Sequence, residues 1–436
     1  MEVQIISRKQ IKPSVKTPPH LQNLKISFFD QLAPSEHFPI IFYYPNHHHE
    51  ITKTIDQLEK SLSETLTLFY PLAGRYIKDN LSVDCKDEGV DFLEAKVDGV
   101  DLTQILQQEP NSNLELLAHF VPYVTESDTS PLLAIQINEF KCGGLAIGLF
   151  NSHRIFDGPT VSTFINAWAT TFREGGISDR VPRPSFDLPF LFPQRDLCLK
   201  LPPPPKVQLK IVTKVFVFNK EAINKLKSKI SGGANSGVKY HPSRLEVVTT
   251  ILWKALIGAV KAQNGHLRAS SLRQIMTLRA KVSMPLPEEA CGNMYMPFMS
   301  RFNANDGSNK LELSDIASLL RDAKRKAISD CKNAVSSNEV FLMVTNSHRE
   351  LCEELNKGEV DTYKFTSWCR MGLDEANFGW GKPAWVSSVH STTEIISTLK
   401  ENKSGDGIEA WMNLTEIDMH HFQQDPDILA LTSSHD

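Results

Sequence analysis

A proline-rich stretch near the middle of the chain, from Val181 to Lys206, restricts what this sequence can fold into. It contains four spaced prolines and then four consecutive ones, Pro202 to Pro205. Proline lacks the backbone N–H donor and fixes φ near its polyproline value, so the stretch cannot form a helix or a central strand. We therefore expect a semi-rigid linker over 183–210, between an N-terminal domain, 1–182, and a C-terminal domain, 211–436.

Both predicted domains mix helical and strand periodicity, which indicates an α/β or mixed α+β fold. The apolar positions predict helices over Thr52–Leu68, Lys220–Ile230 and Arg244–Gln263, and strands over Leu132–Phe140, Leu145–Phe150, Val212–Phe218 and Gly407–Leu414. In the last strand, apolar residues alternate with Glu409, Trp411 and Asn413, which predicts two different faces. Ser243 and Glu246 have the spacing of a capping box at the start of the third helix.

The charge balance excludes some classes of partner. The chain has 436 residues, 41% of them hydrophobic, and a formal net charge of −4, which gives no general attraction to nucleic acid or an anionic membrane. The basic run Arg321–Lys326 is the strongest local exception; it is either a solvated helix face or a contact for a coenzyme phosphate. No signal-peptide pattern or membrane-spanning run is present, so we expect a cytoplasmic protein, and we take it as a monomer.

The cysteines and histidines do not predict a metal site. The 7 cysteines are scattered without Cys-x-x-Cys spacing, which argues against a disulfide framework and against a zinc site. Three adjacent histidines, His47–His49, cannot all converge on one ion from an exposed loop, and no cysteine or carboxylate pattern completes a shell. We expect reduced thiols, no metal and no permanently bound cofactor.

The strongest chemical feature is His153, which follows a short apolar strand and precedes a helix. The strand prediction over Leu145–Phe150 ends just before it, and helical periodicity begins after Gly158. The turn between them carries His153 and Asp157 four positions apart, and such a turn can present a general base. The spacing alone is a weak signal, because a histidine at a strand end is more often a hydrogen-bonded structural residue.

A second motif, about two hundred residues later, changes that interpretation. The chain carries Ser367-Trp368-Cys369-Arg370 and then Asn377-Phe378-Gly379-Trp380-Gly381-Lys382-Pro383. Together with His153-Arg154-Ile155-Phe156-Asp157-Gly158, these segments resemble the plant BAHD acyltransferase family, whose signatures are His-x-x-x-Asp-Gly and Asp-Phe-Gly-Trp-Gly. Further similar stretches are Phe69–Arg75, Cys291–Asn293 and Gly405–Trp411, so the resemblance spans nearly the whole chain. Ser367–Arg370 and Asp84–Gly89 most resemble the branch of vinorine synthase and alkaloid O-acetyltransferases.

The sequence departs from the family pattern at two positions. Asn377 occupies the first position of the second signature, where the family has aspartate, and Thr277 lies where the family usually has asparagine. The resemblance implies that the second signature, with Gly379, Trp380 and Gly381, shapes the fold away from the reacting atoms. The amide of Asn377 would then keep the hydrogen bonds of an aspartate and lose an ion pair.

The resemblance also implies a fold and a set of supporting residues. It implies two similarly folded domains of the chloramphenicol acetyltransferase type, joined by the proline-rich crossover, with a channel between them and His153 at its midpoint. Asp157 is expected to point away from His153 and to pair with Arg279. This pair and Gly158 would hold the turn that presents the histidine.

The chemistry implied by the family is acyl transfer from an acyl-CoA co-substrate to a hydroxyl. An imidazole, with an ordinary pKa of about 6.5, can take the hydroxyl proton and then protonate the departing thiolate. His153 is therefore the expected general base. The chain has no Gly-x-Ser-x-Gly nucleophile elbow, and direct transfer in a ternary complex requires no acyl-enzyme.

Further roles rest on the resemblance alone. Trp380 or Asn293 is expected to donate to the oxyanion of the tetrahedral intermediate, with loop packing and turn capping as the alternative roles. The residues expected near the acyl donor are Ser243, Thr277, Asn293 and Ser367. The segments expected to line the acceptor are Ser27–Gln31 and Phe298–Phe302.

The sequence thus predicts an acyl-CoA-dependent O-acyltransferase that moves acetyl from acetyl-CoA to a hydroxyl of a plant specialised metabolite, an alkaloid or a terpenoid. Two alternatives stay open. The same fold can acylate an amine or use a larger acyl donor, and the departures at Asn377 and Thr277 also fit a lapsed enzyme that binds small hydrophobic metabolites. Neither the acceptor nor the acyl length follows from the sequence, because pocket shape is a three-dimensional property.

Overall fold

The computed structural model describes residues 1–45, 51–108, 111–112, 114–122, 130–197, 210–232, 241–304, 311–389 and 395–432. These residues belong to two compact units. The first is Met1–Asp196 with Pro285–Met294 and Arg370–Val389, and the second is Leu197–Met284 with Tyr295–Cys369 and His390–Asp436. The domain boundaries at 182 and 211 remain a prediction, while two segments that follow the predicted linker in the chain pack with the first unit.

Strands and helices alternate along the whole chain. The strands are β1 (Glu2–Ile11), β2 (Asn23–Lys25), β3 (His37–Tyr44), β4 (Arg75–Ile77), β5 (Ser82–Asp84), β6 (Val90–Asp98), β7 (Leu133–Phe140), β8 (Leu145–Ser152), β9 (Ile211–Phe218), β10 (Ser270–Thr277), β11 (Tyr295–Phe302), β12 (Asp361–Ser367), β13 (Trp385–Ser387), β14 (Ser397–Glu401) and β15 (Ile408–Thr415). The helices are α1 (Phe28–Leu32), α2 (Ile51–Leu68), α3 (Leu102–Gln107), α4 (Gly158–Glu174), α5 (Leu188–Leu191), α6 (Lys220–Gly232), α7 (Arg244–Asn264), α8 (Leu313–Asn333), α9 (Ser337–Lys357), α10 (Glu416–Phe422) and α11 (Pro426–Thr432). The mixture confirms the predicted α/β class.

The first unit is built on a mixed sheet with the strand order β1-β6-β7-β8-β3-β13. β6 and β7 run parallel, and the other neighbours in this sheet are antiparallel. Helix α4 packs on α2, and the buried Trp168 of α4 donates its indole N–H to Ser61 of α2 at 3.1 Å. Because β8 runs into the turn that begins α4, the sheet and this helix pair hold both ends of the turn that carries His153.

The second unit has its own mixed sheet, with the order β11-β10-β12-β14-β15-β9. β10, β12 and β14 run parallel, and the remaining neighbours are antiparallel. The long helix α7 begins at a complete capping box: the Ser243 hydroxyl accepts from the Glu246 N–H at 3.2 Å, and the Glu246 carboxylate accepts from the Ser243 N–H at 2.9 Å. The predicted capping box is therefore confirmed, and Trp253 in the middle of α7 is fully buried in the core of this unit.

The predicted helices and strands are confirmed, with ends that differ by no more than two residues. The expectation that the proline-rich stretch forms no helix is wrong, because the short helix α5 lies in it; Pro189 occupies its first turn, where proline is tolerated. The alternation predicted for the last strand is only partly right. Glu409 and Trp411 of β15 are each 4% exposed, and Glu409 forms a buried ion pair with Lys400 of β14 at 2.5 Å. A central strand between two neighbours is covered on both faces, so its polar residue requires a buried partner. Within the described ranges, no helix combines the length and the apolar content that crossing a membrane requires.

Candidate active site

His153 follows directly after the last residue of β8 and is half-buried. Its backbone N–H donates to the carbonyl oxygen of Glu36 at 3.0 Å, so the residue is tied to the segment that leads into β3. The ring packs on one side against Phe38, with 4.9 Å between the ring centroids. The imidazole is thus held at the end of a strand and keeps part of its surface accessible, as a general base requires.

Asn293 is the polar partner of the His153 ring. Its Oδ1 lies 3.2 Å from Nδ1 of His153, and its Nδ2 donates to the His153 carbonyl oxygen at 2.8 Å and to Asp30 Oδ1 at 2.9 Å. Both amide hydrogens therefore have acceptors. This geometry favours a structural role for the Asn293 amide over the predicted donation to an oxyanion.

Asp30 completes this network from helix α1. The residue is 7% exposed, and its carboxylate accepts four hydrogen bonds, two from Ser27 (N–H at 3.0 Å, hydroxyl at 2.6 Å) and two from Asn293 (N–H at 2.8 Å, amide at 2.9 Å). Burial raises the pKa of Asp30, and these four hydrogen bonds oppose that rise. Asp30 was not predicted as a site residue, although the spacing Ser27-x-x-Asp30 is a capping-box signal that marks the start of a helix.

Asp157 is the N-cap of α4. Its Oδ1 accepts from the Thr160 N–H at 3.0 Å and from the Thr160 hydroxyl at 2.7 Å, and its Oδ2 accepts from the Met294 N–H at 3.2 Å. The carboxylate is buried and engaged at the helix start, which suits the supporting role predicted for it. The pairing of Asp157 with Arg279 stays a prediction.

The segment Cys291–Met294 is fixed by these two buried carboxylates. Asp30 accepts from the backbone of Asn293, Asp157 accepts from the backbone of Met294, and the Thr160 hydroxyl accepts from the Gly292 N–H at 3.0 Å. The chain therefore presents the Asn293 side chain to the histidine ring in one orientation. The sequence resemblance at Cys291–Asn293 indicated this segment but not its partners.

Gly158 is required by a contact with the segment that precedes the second signature. A Cβ atom at this position would lie 2.2 Å from Sδ of Met371, far inside van der Waals contact. The start of α4 therefore packs against the side chain of Met371, which would have to move to admit a Cβ atom at this position.

Gly158→Ala is expected to lower the free energy of unfolding by about 1–3 kcal/mol, because it overpacks this contact. Thermal or urea unfolding checks the loss, and the same alanine should cost less in a Met371→Ala background. Gly258→Ala is the matched control, since that glycine lies inside α7 with only an ordinary 3.8 Å contact. An equal loss at both glycines would contradict the steric explanation.

Asn377 organises the second signature through its side-chain carbonyl. Its Oδ1 accepts from the N–H of Gly379 at 2.8 Å and from the N–H of Gly381 at 3.1 Å. Both glycines have positive φ, +113° and +107°, a region that L side chains rarely adopt. An amide oxygen serves this loop as a carboxylate oxygen would, so the departure from the family's aspartate keeps these two hydrogen bonds.

We expect Asn377→Asp to change the free energy of unfolding by no more than about 0.5 kcal/mol, whereas Asn377→Ala should lower it by about 1 kcal/mol or more because two backbone donors lose their acceptor. Unfolding curves of the two variants provide the test. Equal stability of the alanine variant and the natural chain would show that the two hydrogen bonds are not required.

Trp380 lies in an aromatic cluster rather than alone in its loop. Its ring stacks on Phe378 with 5.4 Å between centroids and makes edge contacts with Phe172 of α4 at 4.9 Å and Tyr44 of β3 at 6.0 Å. This packing favours the loop-stabilising role for Trp380 over the predicted oxyanion donor. It also connects the second signature to helix α4, which begins at the first.

Three residues predicted near the acyl donor lie at one edge of the second unit's sheet. Thr277 and Ser367 are the last residues of the neighbouring parallel strands β10 and β12. Ser243 precedes α7, whose first residue, Arg244, forms an ion pair with Glu401 at the end of β14 at 3.6 Å. Since β14 is parallel to β12, the three hydroxyls share the carboxyl edge of the sheet. The sequence predicted these residues one by one and did not reveal their common edge.

The other predicted site residues are the acceptor segments and the histidines of a possible metal site. The predicted acceptor segments Ser27–Gln31 and Phe298–Phe302 lie at the start of α1 and in the last residues of β11. In the ranges given above, no group of three histidine, cysteine or acidic side chains is arranged to hold a metal ion. His47–His49 fall outside the described residues.

The basic run Arg321–Lys326 lies in α8 and is largely paired. The ion pairs of this run join Arg321 to Asp322 at 3.5 Å, Lys324 to Glu246 at 3.6 Å, and Lys326 to Asp330 at 3.3 Å. Arg321 and Lys324 are partly buried, while Lys326 and Asp330 form an exposed pair. Because these charges already have carboxylate neighbours, the contacts favour a helix face over a phosphate contact.

The fold and sequence together place this chain among the acyltransferases. The crystal structure of vinorine synthase superposes with a TM-score of 0.83 at 32% identity, covering 99% of both chains. Acetyl-CoA-benzylalcohol acetyltransferase from Clarkia breweri is 37% identical over 99% of this chain and 100% of its own length, and limonoid 1-O-acetyltransferase from Citrus sinensis is 33% identical over 99% of each. Residues 1–429 match the sequence model of the Transferase family. The chain belongs to this family, the plant BAHD acyltransferases.

Proposed function

We propose that the protein transfers acetyl from acetyl-CoA to a hydroxyl of a plant specialised metabolite, an alkaloid or a terpenoid, with His153 as the general base. The observation that carries the proposal is the ring of His153, half-buried and held through Nδ1 by Asn293, in a chain of this family. The names of the Clarkia and Citrus relatives support acetyl as the acyl group and a hydroxyl as the acceptor. A cytosolic monomer remains part of the proposal.

The catalytic step needs a base because an un-ionised alcohol is a weak nucleophile. When Nδ1 of His153 donates to Asn293 Oδ1, the lone pair of the neutral ring lies on Nε2. Nε2 takes the hydroxyl proton as the oxygen attacks the thioester carbonyl, and the C–S bond breaks as the tetrahedral intermediate collapses. The imidazolium then returns the proton to the CoA thiolate, so the ring ends the cycle neutral and no acyl-enzyme forms.

Acyl-CoA is a co-substrate in this proposal, bound for one turnover. The carboxyl edge of the second unit's sheet, with Ser243, Thr277 and Ser367, is the proposed contact for its pantetheine and thioester part. Hydroxyls at strand ends and at a helix start can donate to the amide and thioester carbonyl oxygens of such a chain. A larger acyl donor and an amine acceptor are the alternatives on the same fold.

The lapsed-enzyme alternative rests on Asn377 and Thr277. The hydrogen bonds of Asn377 argue against it, because the amide keeps both backbone donors of the loop satisfied. If the natural chain shows no turnover and Asn377→Asp restores it, the alternative gains. Turnover by the natural chain removes it.

The test of the proposed function is a screen of a plant metabolite extract with isotope-labelled acetyl-CoA. We expect release of CoA thiol and the appearance of an ester product that carries the label. Parallel reactions with longer acyl-CoA donors, and products that gain label on nitrogen, separate the alternatives on the same fold. Absence of label in every product with every donor would overturn the proposed activity.

A further inference from the structure

Asp30 is a buried carboxylate outside both sequence signatures, and the proposed mechanism gives it no direct step. It lies in the first turn of α1, within the segment expected to line the acceptor. Its four hydrogen-bond donors are divided evenly: Ser27 supplies two, and Asn293 supplies its backbone N–H and one amide hydrogen. Only half of this network is needed to cap α1, and the other half acts on the residue that touches the histidine ring.

The orientation of the Asn293 amide follows from what surrounds it. Nδ2 faces two acceptors, Asp30 Oδ1 at 2.9 Å and the His153 carbonyl oxygen at 2.8 Å. A carboxylate cannot donate, so turning the amide over would place Oδ1 against two oxygens. Oδ1 is therefore directed to the ring, where it lies 3.2 Å from Nδ1 of His153.

The orientation of the amide in turn selects the tautomer of the imidazole. Oδ1 can only accept, so it favours the ring form with hydrogen on Nδ1 and the lone pair on Nε2. A neutral imidazole has one donor and one acceptor nitrogen, and the partner of one nitrogen sets the role of the other. Asp30 is thus connected to His153 by two direct contacts, one from Asp30 to the Asn293 amide and one from that amide to the imidazole ring.

We infer that Asp30 is a positioning residue that sets the tautomer and orientation of the catalytic His153 through the Asn293 amide. The inference rests on the proposed function of His153 as the general base. It also means that one carboxylate both caps the predicted acceptor helix and prepares the base.

A double-mutant cycle on kcat tests whether Asp30 acts through Asn293. We expect Asp30→Ala and Asn293→Ala each to lower kcat on the order of 10-fold or more, with the KM for acyl-CoA unchanged in Asp30→Ala. In the double variant the losses should not multiply, because residues that act as one unit are strongly non-additive. Multiplied losses would show that Asp30 acts independently of Asn293 and would overturn the inference.

Two further variants separate this role from helix capping. Asp30→Asn keeps an oxygen that can accept from Asn293, while the N–H of Ser27 loses its acceptor, so kcat should stay within a few-fold of the natural value if only the Asn293 contact matters. A pure capping role predicts the opposite, that Asp30→Asn loses as much as Asp30→Ala. Glu339→Gln is the matched control, since Glu339 completes the exposed capping box of α9 and should leave kcat unchanged.

A nuclear magnetic resonance measurement reads the tautomer without any turnover. In protein with ¹⁵N-labelled histidine at a pH above the imidazole pKa, the His153 signals are those missing from His153→Ala. We expect the natural chain to carry hydrogen on Nδ1, and Asp30→Ala to show a mixture of tautomers. Hydrogen on Nε2 in the natural chain, or an unchanged tautomer in a folded Asp30→Ala variant, refutes the inference. If the screen finds no acylated product while these tautomers are seen, the proposed function fails and the positioning role of Asp30 stands.

Discussion

His153→Ala is expected to reduce kcat by about 10²–10⁴ and to leave the fold intact, because general base catalysis typically contributes this much. The residue is half-buried at the end of a strand, where its ring packs on Phe38 and contacts Asn293, so we expect the alanine variant to keep the strand and helix on either side of it. Release of CoA thiol from acetyl-CoA and an accepted alcohol measures the loss. Circular dichroism and the melting temperature show whether the variant is folded.

The control for this prediction is another histidine. His266 is exposed beyond the end of α7, where its ring contacts the backbone of Asn264, and His266→Ala should keep full activity. A second variant, His153→Gln, keeps a polar side chain of similar reach but lacks a basic nitrogen, and we expect it to be as inactive as the alanine variant. A folded His153→Ala variant with at least a tenth of the natural kcat would exclude the general-base role.

Asp157→Ala is expected to give the largest loss of stability among the site variants, together with a loss of activity. The substitution removes the N-cap of α4 and leaves the N–H groups of Thr160 and Met294 without their acceptor. Loss of a cap alone costs about 0.5–2 kcal/mol. If Asp157 also pairs with Arg279, a stranded charge brings the total to about 3–5 kcal/mol. The melting temperature and the urea midpoint measure the effect.

Two controls separate the cap from the ion pair. Ser336 is the exposed N-cap of α9, where its hydroxyl accepts from the Glu339 N–H at 3.3 Å, and Ser336→Ala should cost no more than a cap alone. Arg279→Ala should also lower stability, but by less than Asp157→Ala because the cap of α4 stays in place, and the double variant should cost less than the two single losses added together. Natural melting temperatures in both single variants would refute the pairing of Asp157 with Arg279.

The sequence predicted several of the long elements because their burial repeats with the helix or strand period. Helix α7, for example, is marked by both its apolar face and the Ser243 capping box. The long helix α9 was not predicted, although Ser336 and Glu339 have the capping-box spacing at its start. Short elements such as α1 (Phe28–Leu32) and β13 (Trp385–Ser387) were not predicted, because a few residues carry too little periodicity. Their pairing is decided by distant partners, as when β13 joins β3 across more than three hundred residues of chain.

The site was predicted in part. His153 and Asp157 are recognisable from local spacing, but the contact of His153 with Asn293 joins residues 140 positions apart, and no local pattern indicates it. The resemblance suggested Asn293 as an oxyanion donor. The prediction did not foresee the structural role, because the identity of a side chain does not show which neighbouring atoms accept its hydrogen bonds. That choice depends on Asp30, whose position is fixed only when α1 packs.

The contact between Gly158 and Met371 has a consequence for engineering enzymes of this kind. A Cβ atom at the start of α4 would displace the side chain of Met371, and Phe378 packs on Trp168 and Phe172 farther along the same helix. If the turn that carries His153 is replaced together with α4 by the same segment of a relative, the surface of the new helix must fit the recipient's loop that contains Phe378. Chimeras that exchange both segments together preserve this fit, whereas single-loop exchanges place one parent's helix against the other parent's aromatic loop.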